Sequence, residues 1–472
     1  MATSSLIADV TDNRPSNQEA TVDLAGEGRT AASSGLKLFL WALAAASVLG
    51  FIGIAFRFIN DGGRQEWGYY AATLAFMMTV FGGAPIVAIA PAIAKANWAR
   101  PAARIASLAS IATAMTALMM IPLLFKLPPL TVFSEALGDD IRRTSIWFDS
   151  PDYAPHFWNV LILLTLALAG LAMAYLMALP DFAAIRDHGS GWKQRWGKKL
   201  ARGFHGRPQQ WEWLKMRIGV TGAFYFAILL FANFTFSIDF AMSLVPGWKD
   251  AILPFYHTIS SMQAGIAFTI LGIWAARRWG GVSKYVGHEQ MWSLGKLLLA
   301  TTLLWFYFFY SSFIVFWYGR TATDTLTLKL LVSGPYIYVF WTVFLLAFIA
   351  PWWVMIWNKV RDSVWGPPIA ATMVLIGLFF DRIRLYVASW SAEPDNLELA
   401  KLSMLEKMPD TVWPDVFDVF IMVGLPAFGL LGILLVTRLV PVVSLWEVQQ
   451  SRLITKPIRF MRTHVMLVGK PD

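Results

Sequence analysis

The chain of 472 residues contains no cysteine. That excludes disulfides, thiol nucleophiles, cysteine-ligated iron–sulfur clusters and thioether-attached haem. Charge is scarce too. Asp, Glu, Lys and Arg together make up 15 % of the residues, where a soluble domain carries roughly a quarter. So small a share does not coat a water-facing surface. The sequence also lacks a G-x-x-x-x-G-K-[ST] loop, an H-E-x-x-H pair and any cluster at metal-ligand spacing. What remains is apolar. Hydrophobic types reach 57 % and the mean hydropathy is +0.54. The apolar residues come in runs far longer than a strand needs. These features exclude a soluble enzyme, a fibrous protein and a disordered one, and predict an all-α integral membrane protein.

A spanning helix needs about 20 mostly apolar residues. Ten runs meet this: 37–59, 69–93, 102–125, 157–180, 218–239, 255–276, 291–317, 331–356, 367–389 and 414–438. They predict about ten transmembrane helices in a domain over 37–438. Residues 1–36 are polar and read as a disordered tail; 439–472 form a basic C-terminal tail. Lys and Arg concentrate in the segments after the second, fourth, sixth and eighth runs, above all between Lys193 and Arg217. By the positive-inside rule those segments face the cytoplasm, and an even count puts both termini there. The Lys193–Arg217 stretch is expected to meet anionic lipid heads, and nothing points to nucleic acid. The outer loops 126–156 and 390–413 are acid-rich.

Charged groups inside spans are expensive and mark function or helix pairing. Asp239 ends the fifth run. Asp381, Arg382 and Arg384 lie about 20 Å along the ninth, taking 1.5 Å per residue, and Asp381 and Arg384 can pair on one helical face. His156 and His257 fall at the outer starts of the fourth and sixth runs. The bland reading is two interfacial histidines; the functional one is a proton relay or quinol ligand. His188, His205, His288 and His464 lie in loops and tail. No histidine is mid-helix, so a bis-histidine haem is unsupported. Gly82-Gly83-Ala84-Pro85 interrupts the second run, as a kink or as the broken helix of a transporter.

Several segments together resemble the NrfD/PsrC-type membrane subunit family. Phe236-Ser237-Ile238-Asp239 followed by Ser243-Leu244-Val245-Pro246-Gly247-Trp248 is similar to its aspartate-ended helix with a Ser-x-x-Pro-Gly-Trp turn. Pro180-Asp181-Phe182-Ala183 with Arg186-Asp187 resembles its helix exit. Phe316-Trp317-Tyr318 resembles its aromatic ending, and Gly377-Leu378-Phe379-Phe380-Asp381-Arg382 a Gly-x-x-x-Glu-Arg pattern with Asp for Glu. Two features depart from quinol-binding members. No histidine stands in Phe81-Gly82-Gly83-Ala84-Pro85, and Ser311-Ser312 replaces an expected glutamate. The chain therefore looks most like the second, ActF-like, of the two such subunits in alternative complex III.

That resemblance implies a multi-pass subunit of a quinol-oxidising complex in the bacterial inner membrane. Its partners would be a second NrfD-like subunit and iron–sulfur and haem subunits. Quinone or menaquinone would act in the complex, with no cofactor on this chain. Asp239, His257 and Asp381 are the proton-handling candidates. The rival expectations are a purely structural membrane anchor and a stand-alone secondary transporter.

Overall fold

The computed structural model describes residues 34–60, 63–94, 96–127, 131–134, 138–142, 151, 153–283, 285–286, 288–392, 408–447, 455–460 and 463–468. Most of the tail predicted over 1–36 lies outside the described residues, as does most of the acid-rich segment 390–413.

The chain forms a helical bundle. Its elements are α1 (Ser34–Ile59), α2 (Arg64–Ile93), α3 (Arg100–Leu124), α4 (Ala154–His188), α5 (Gly191–Leu200), α6 (Pro208–Asp239), α7 (Leu253–Trp279), α8 (His288–Gly319), α9 (Ala322–Leu328), α10 (Ile337–Ile356), α11 (366–391) and α12 (Val416–Val436). Two antiparallel strand pairs are also formed: β1 (Thr131–Ser134) with β2 (Asp139–Arg142), and β3 (Thr455–Phe460) with β4 (Thr463–Val468). Among the described residues nine helices are long and apolar enough to cross a membrane. The tenth predicted span is α11. Asp381, Arg382 and Arg384 set it apart from those nine, yet all three are buried in the bundle.

Two boundaries differ from the hydropathy reading. The run 331–356 is split at Gly334-Pro335, where proline removes an amide and restricts the residue before it; α10 starts after it. The fourth span does not stop at Pro180. α4 continues to His188, because Asp181 is buried in an ion pair with Arg104 and Phe182, Ala183 and Ile185 still pack inward. The expected basic loop is thus largely helix. Within it α5 docks at Gly197, where a Cβ would lie 2.9 Å from the Arg186 amide. Trp192, Trp196, Lys198 and Lys199 of α5 stay exposed. This end of the bundle is called the basic end below.

Glycine sets the closest helix contacts. A Cβ on Gly50 of α1 would lie 2.9 Å from Gly424 Cα of α12. Small residues of this kind let backbones approach where lipid supplies no hydrophobic drive. At the other end, Arg57 of α1 pairs with Glu66, Asp415 and Asp418 at 2.8–3.0 Å. Asp415 also caps α12, accepting the Asp418 amide at 2.7 Å.

The Gly82–Pro85 interruption is a kink packed on a neighbour. Met78–Gly82 is a π-helical turn, and a Cβ on Gly265 of α7 would come within 2.3 Å of the Gly83 carbonyl carbon. Further π turns occupy Lys329–Ser333, Phe344–Ile349 and Ile383–Val387. Such turns are rare and gather at functional sites.

Candidate functional site

The interior between α2, α6, α7 and α11 holds a cluster of buried charge. Asp381 and Arg382 are fully buried, and Arg384 is nearly so. Asp381 Oδ1 accepts from Arg384 Nη2 at 2.7 Å and from the Tyr256 hydroxyl at 2.8 Å. Its Oδ2 accepts from Arg382 Nη1 at 3.1 Å. The second contact of Arg382 is Thr79 Oγ1 at 3.0 Å, inside the π turn of α2. Arg384 Nη1 donates to the Leu331 carbonyl at 3.2 Å, inside another π turn. One carboxylate thus faces two guanidinium groups. In low dielectric that excess of positive charge attracts any mobile anion or electron-rich oxygen nearby. Among the described residues Arg382 Nη2 and Arg384 Nε have no hydrogen-bond acceptor.

Beside this cluster stands His257. It is 1 % exposed, so it is a core residue and not the interfacial histidine of the bland reading. The apolar run that contains it starts earlier than hydropathy suggests: α7 begins at Leu253, which draws His257 one turn into the bundle. Its Nδ1 lies 3.0 Å from Asn233 Oδ1 and its Nε2 lies 2.8 Å from the Tyr386 hydroxyl. Asn233 Nδ2 donates to the Leu229 carbonyl at 2.9 Å, and Ser261 donates to Oδ1 at 3.1 Å. These contacts fix the amide orientation. The Nδ1–H tautomer of His257 then satisfies both ring nitrogens, with the tyrosine donating to Nε2. The ring holds one proton at Nδ1 and receives another hydrogen bond at Nε2, the arrangement of a relay.

Asp239 closes the set at the end of α6. It is 4 % exposed. Its Oδ2 accepts from Asn159 Nδ2 at 2.7 Å and from Trp158 Nε1 at 3.0 Å, both on α4. His156, one turn earlier on α4, lies near enough to feel the Asp239 charge. The three predicted residues therefore share one region of the fold but do not touch. Asp381 and His257 are joined through adjacent residues, Tyr256 and His257 on α7; Asp239 faces α4.

Asp250 was not anticipated. It sits between α6 and α7 and is almost buried. Its Oδ1 accepts the amides of Ile252 and Leu253 at 2.8 and 3.2 Å, which starts α7. Its Oδ2 accepts from Ser312 at 2.6 Å. Burial pushes the Asp250 carboxyl above its ordinary range, against the pull of Ser312 and the two amides. Ser312 is one of the residues standing where a glutamate was expected, and it faces a carboxylate brought by the loop. A cavity of about 40 Å³ lies here, lined by Asp250, Tyr256, Ser312, Phe309, Phe316 and Arg384 among others. One water needs about 10–15 Å³ on this measure, and a cavity that takes up benzene measures about 150 Å³. The space admits waters and is too small for a quinone ring.

The family described as polysulphide reductase, NrfD, matches residues 58–391. The chain belongs to the NrfD family. The match takes in Asp239, Asp250, His257 and Asp381, and leaves out α12 and the segment after it. NrfD proteins are membrane subunits of quinol-linked oxidoreductase complexes and typically partner with iron–sulfur or haem subunits. No curated protein matches the chain. Among the described residues no group of three or more His, Asp or Glu is placed to hold a metal ion.

Sequence reading found the candidates that interrupt apolar runs. It missed Tyr256, Tyr386, Asn159 and Asn233, which are unremarkable in a membrane helix until a partner faces them. Asp250 had one usable signal, its place just before a helix start.

Proposed function

We propose that this NrfD-family chain is a proton-handling membrane subunit of a quinol-oxidising complex of the alternative complex III type, placed in the bacterial inner membrane. Electrons pass through iron–sulfur and haem partners, with a second NrfD-like subunit beside this one. The observation that carries the reading is the linked set of buried titratable groups: Asp381 with Tyr256, His257 with Tyr386, and Asp250 across a water-sized cavity from Arg384. Groups of this kind are expensive in a membrane interior unless they pair or move protons. The cavity size favours protons over quinol as the species handled here.

Asp381 is the hub. Its negative charge is balanced by Arg384, and Arg382 adds a further positive charge. A proton leaving Tyr256 or arriving at Asp250 changes the field at Arg384, and the widened turn Ile383–Val387 gives that side chain room to respond. Asp239 supplies a carboxylate toward the α4 side.

A structural anchor is the second reading. It is favoured by Asp381, both of whose oxygens are engaged by Arg382, Arg384 and Tyr256, as in a pair that locks helices together. Asp239→Asn separates the two. Asparagine can still accept from Asn159 and Trp158, so the complex assembles. Proton handling predicts reduced turnover and reduced proton release in the assembled variant. Unchanged turnover and unchanged release would leave the anchor reading.

A further inference from the structure

The segment between α4 and α6 carries charge of one sign. From His188 to Trp211 it holds six Lys and Arg and no Asp or Glu. Of the flanking carboxylates, Asp187 is held by its neighbour Arg186 at 2.7 Å, and Glu212 lies on α6. Within α5, Trp192, Arg195, Trp196 and Lys199 recur at the i, i+3, i+4, i+7 spacing of a single helical face. All four are exposed. Gly197 is on the other side, against the Phe182 carbonyl and the Arg186 amide of α4. The outer face is therefore turned away from the bundle. It is not an ordinary water-facing surface either, because Trp192 and Trp196 remain 54 % and 45 % exposed. Tryptophan beside lysine and arginine is the composition of a helix at the lipid headgroups.

The packing of α5 sets its depth. It folds back along α4, and the Tyr175 hydroxyl donates to the Leu200 carbonyl at 2.8 Å. Tyr175 stands about 20 Å before the end of α4, taking 1.5 Å per residue. The exposed apolar surface begins just beyond that level, with Leu168 and Leu171 on α4 and Val220 and Phe224 on α6. The last cation of α6 is Arg217, stacked 3.7 Å from the Trp213 ring. The C-terminal end of α5 and Arg202 after it thus stand where lipid meets water. Arg202 lies 5.8 Å from the Tyr175 ring and Lys199 lies 5.2 Å from the Trp196 ring. Arg202 holds φ 42°, a left-handed backbone that glycine takes more readily. Among the described residues no carboxylate pairs with Lys198, Lys199 or Arg202. A guanidinium over a ring still presents its N–H fork at the edge, and that fork fits a phosphate.

We propose that the outer face of α5 with Arg202 binds the phosphate of an anionic phospholipid in the leaflet at the basic end. Lys198, Lys199 and Arg202 hold the headgroup and Trp196 packs beside it. Binding is by charge and hydrogen bond, with no bond made or broken in the lipid. An acidic protein surface would meet the same charge, but the level of Tyr175 and the uncovered tryptophans favour lipid. The site shares no residue with the proton-handling groups.

The test is native mass spectrometry of the full chain in mild detergent, titrated with phosphatidylglycerol and, separately, with phosphatidylcholine. The native chain is expected to bind phosphatidylglycerol more tightly, with an affinity that falls as salt rises. Lys198→Gln, Lys199→Gln and Arg202→Gln together are expected to weaken that binding about a hundredfold, about fivefold for each cation removed near an anionic surface. A control makes the same charge change elsewhere at the basic end, with Arg278→Gln, Lys296→Gln and Lys359→Gln. It is expected to bind as the native chain does. Equal weakening in the two triple variants, or equal affinity of the native chain for both lipids, overturns the proposal. Loss of a partner subunit from a complex carrying the α5 triple variant, with phosphatidylglycerol binding unchanged, assigns the face to a protein and overturns it as well. Should the triple variant fail to fold, Lys199→Gln alone decides: about fivefold weaker binding supports the site and native binding contradicts it.

Discussion

At the scale of single residues, the interior is organised by arginines that outnumber their carboxylate. Arg382 and Arg384 share Asp381. Removing that carboxylate strands two buried guanidinium groups, and breaking a buried pair costs about 3–5 kcal/mol. Asp381→Ala is therefore expected to abolish folded subunit in the membrane, which detergent extraction and size-exclusion profiles would reveal. Tyr386→Phe is a milder change. It deletes one hydroxyl and its hydrogen bond to His257 Nε2, worth about 1 kcal/mol. The fold should survive with a melting temperature little changed, while proton release slows. Equal release in Tyr386→Phe and native complexes would remove His257 from the relay. Asp239 and Asp381 were legible in the sequence because a charge in an apolar run stands out. Tyr256, Tyr386 and Asp250 were not, because their meaning comes from residues 60–130 positions away that the fold brings beside them. Glu447 was hidden differently. It lies in a stretch that reads as a basic tail, and only the packed bundle shows it to be buried.

At the scale of elements, close approach of backbones decides the architecture. Gly265 of α7 meets the Gly83 carbonyl carbon so closely that a Cβ would lie 2.3 Å away. Gly265→Val must push α7 off α2, and overpacking of this kind costs about 1–3 kcal/mol or more. It is expected to lower the melting temperature of the purified protein and to disturb Thr79 and His257 together, since both elements carry site residues. A variant that melts like the native protein would show that the contact is not needed. Helix number and approximate edges were readable because spanning runs have a length set by the bilayer. The π turns were not readable. Nothing in apolar periodicity distinguishes an i→i+5 turn, yet three of the four hold Thr79, Leu331 and Arg384 in the site. The continuation of α4 past Pro180 was also hidden, because it depends on the Arg104–Asp181 pair formed across two helices.

At the scale of the whole molecule, a buried acid ties the C-terminal segment to the bundle. The Glu447 carboxyl titrates near 4.5 when free and is pushed up to about 8 when packed. Between these values the packed form binds a proton that the free form lacks, so stability falls as pH rises. The contribution is complete below about 4.5 and gone above about 8. Hydrogen exchange at the Leu445 amide, which donates to Asp181, should therefore gain protection when the pH is lowered from about 9 to about 6, beyond the intrinsic change. Glu447→Gln should flatten that dependence. On this account the chain moves protons and its partners move electrons. Purifying the tagged chain from its native membranes in mild detergent, with mass spectrometry and a quinol-oxidation assay, tests that division most directly. The account predicts stoichiometric iron–sulfur and haem subunits, a second NrfD-like chain and quinol-oxidising activity in one particle. A solitary, folded chain without partners or activity would contradict it.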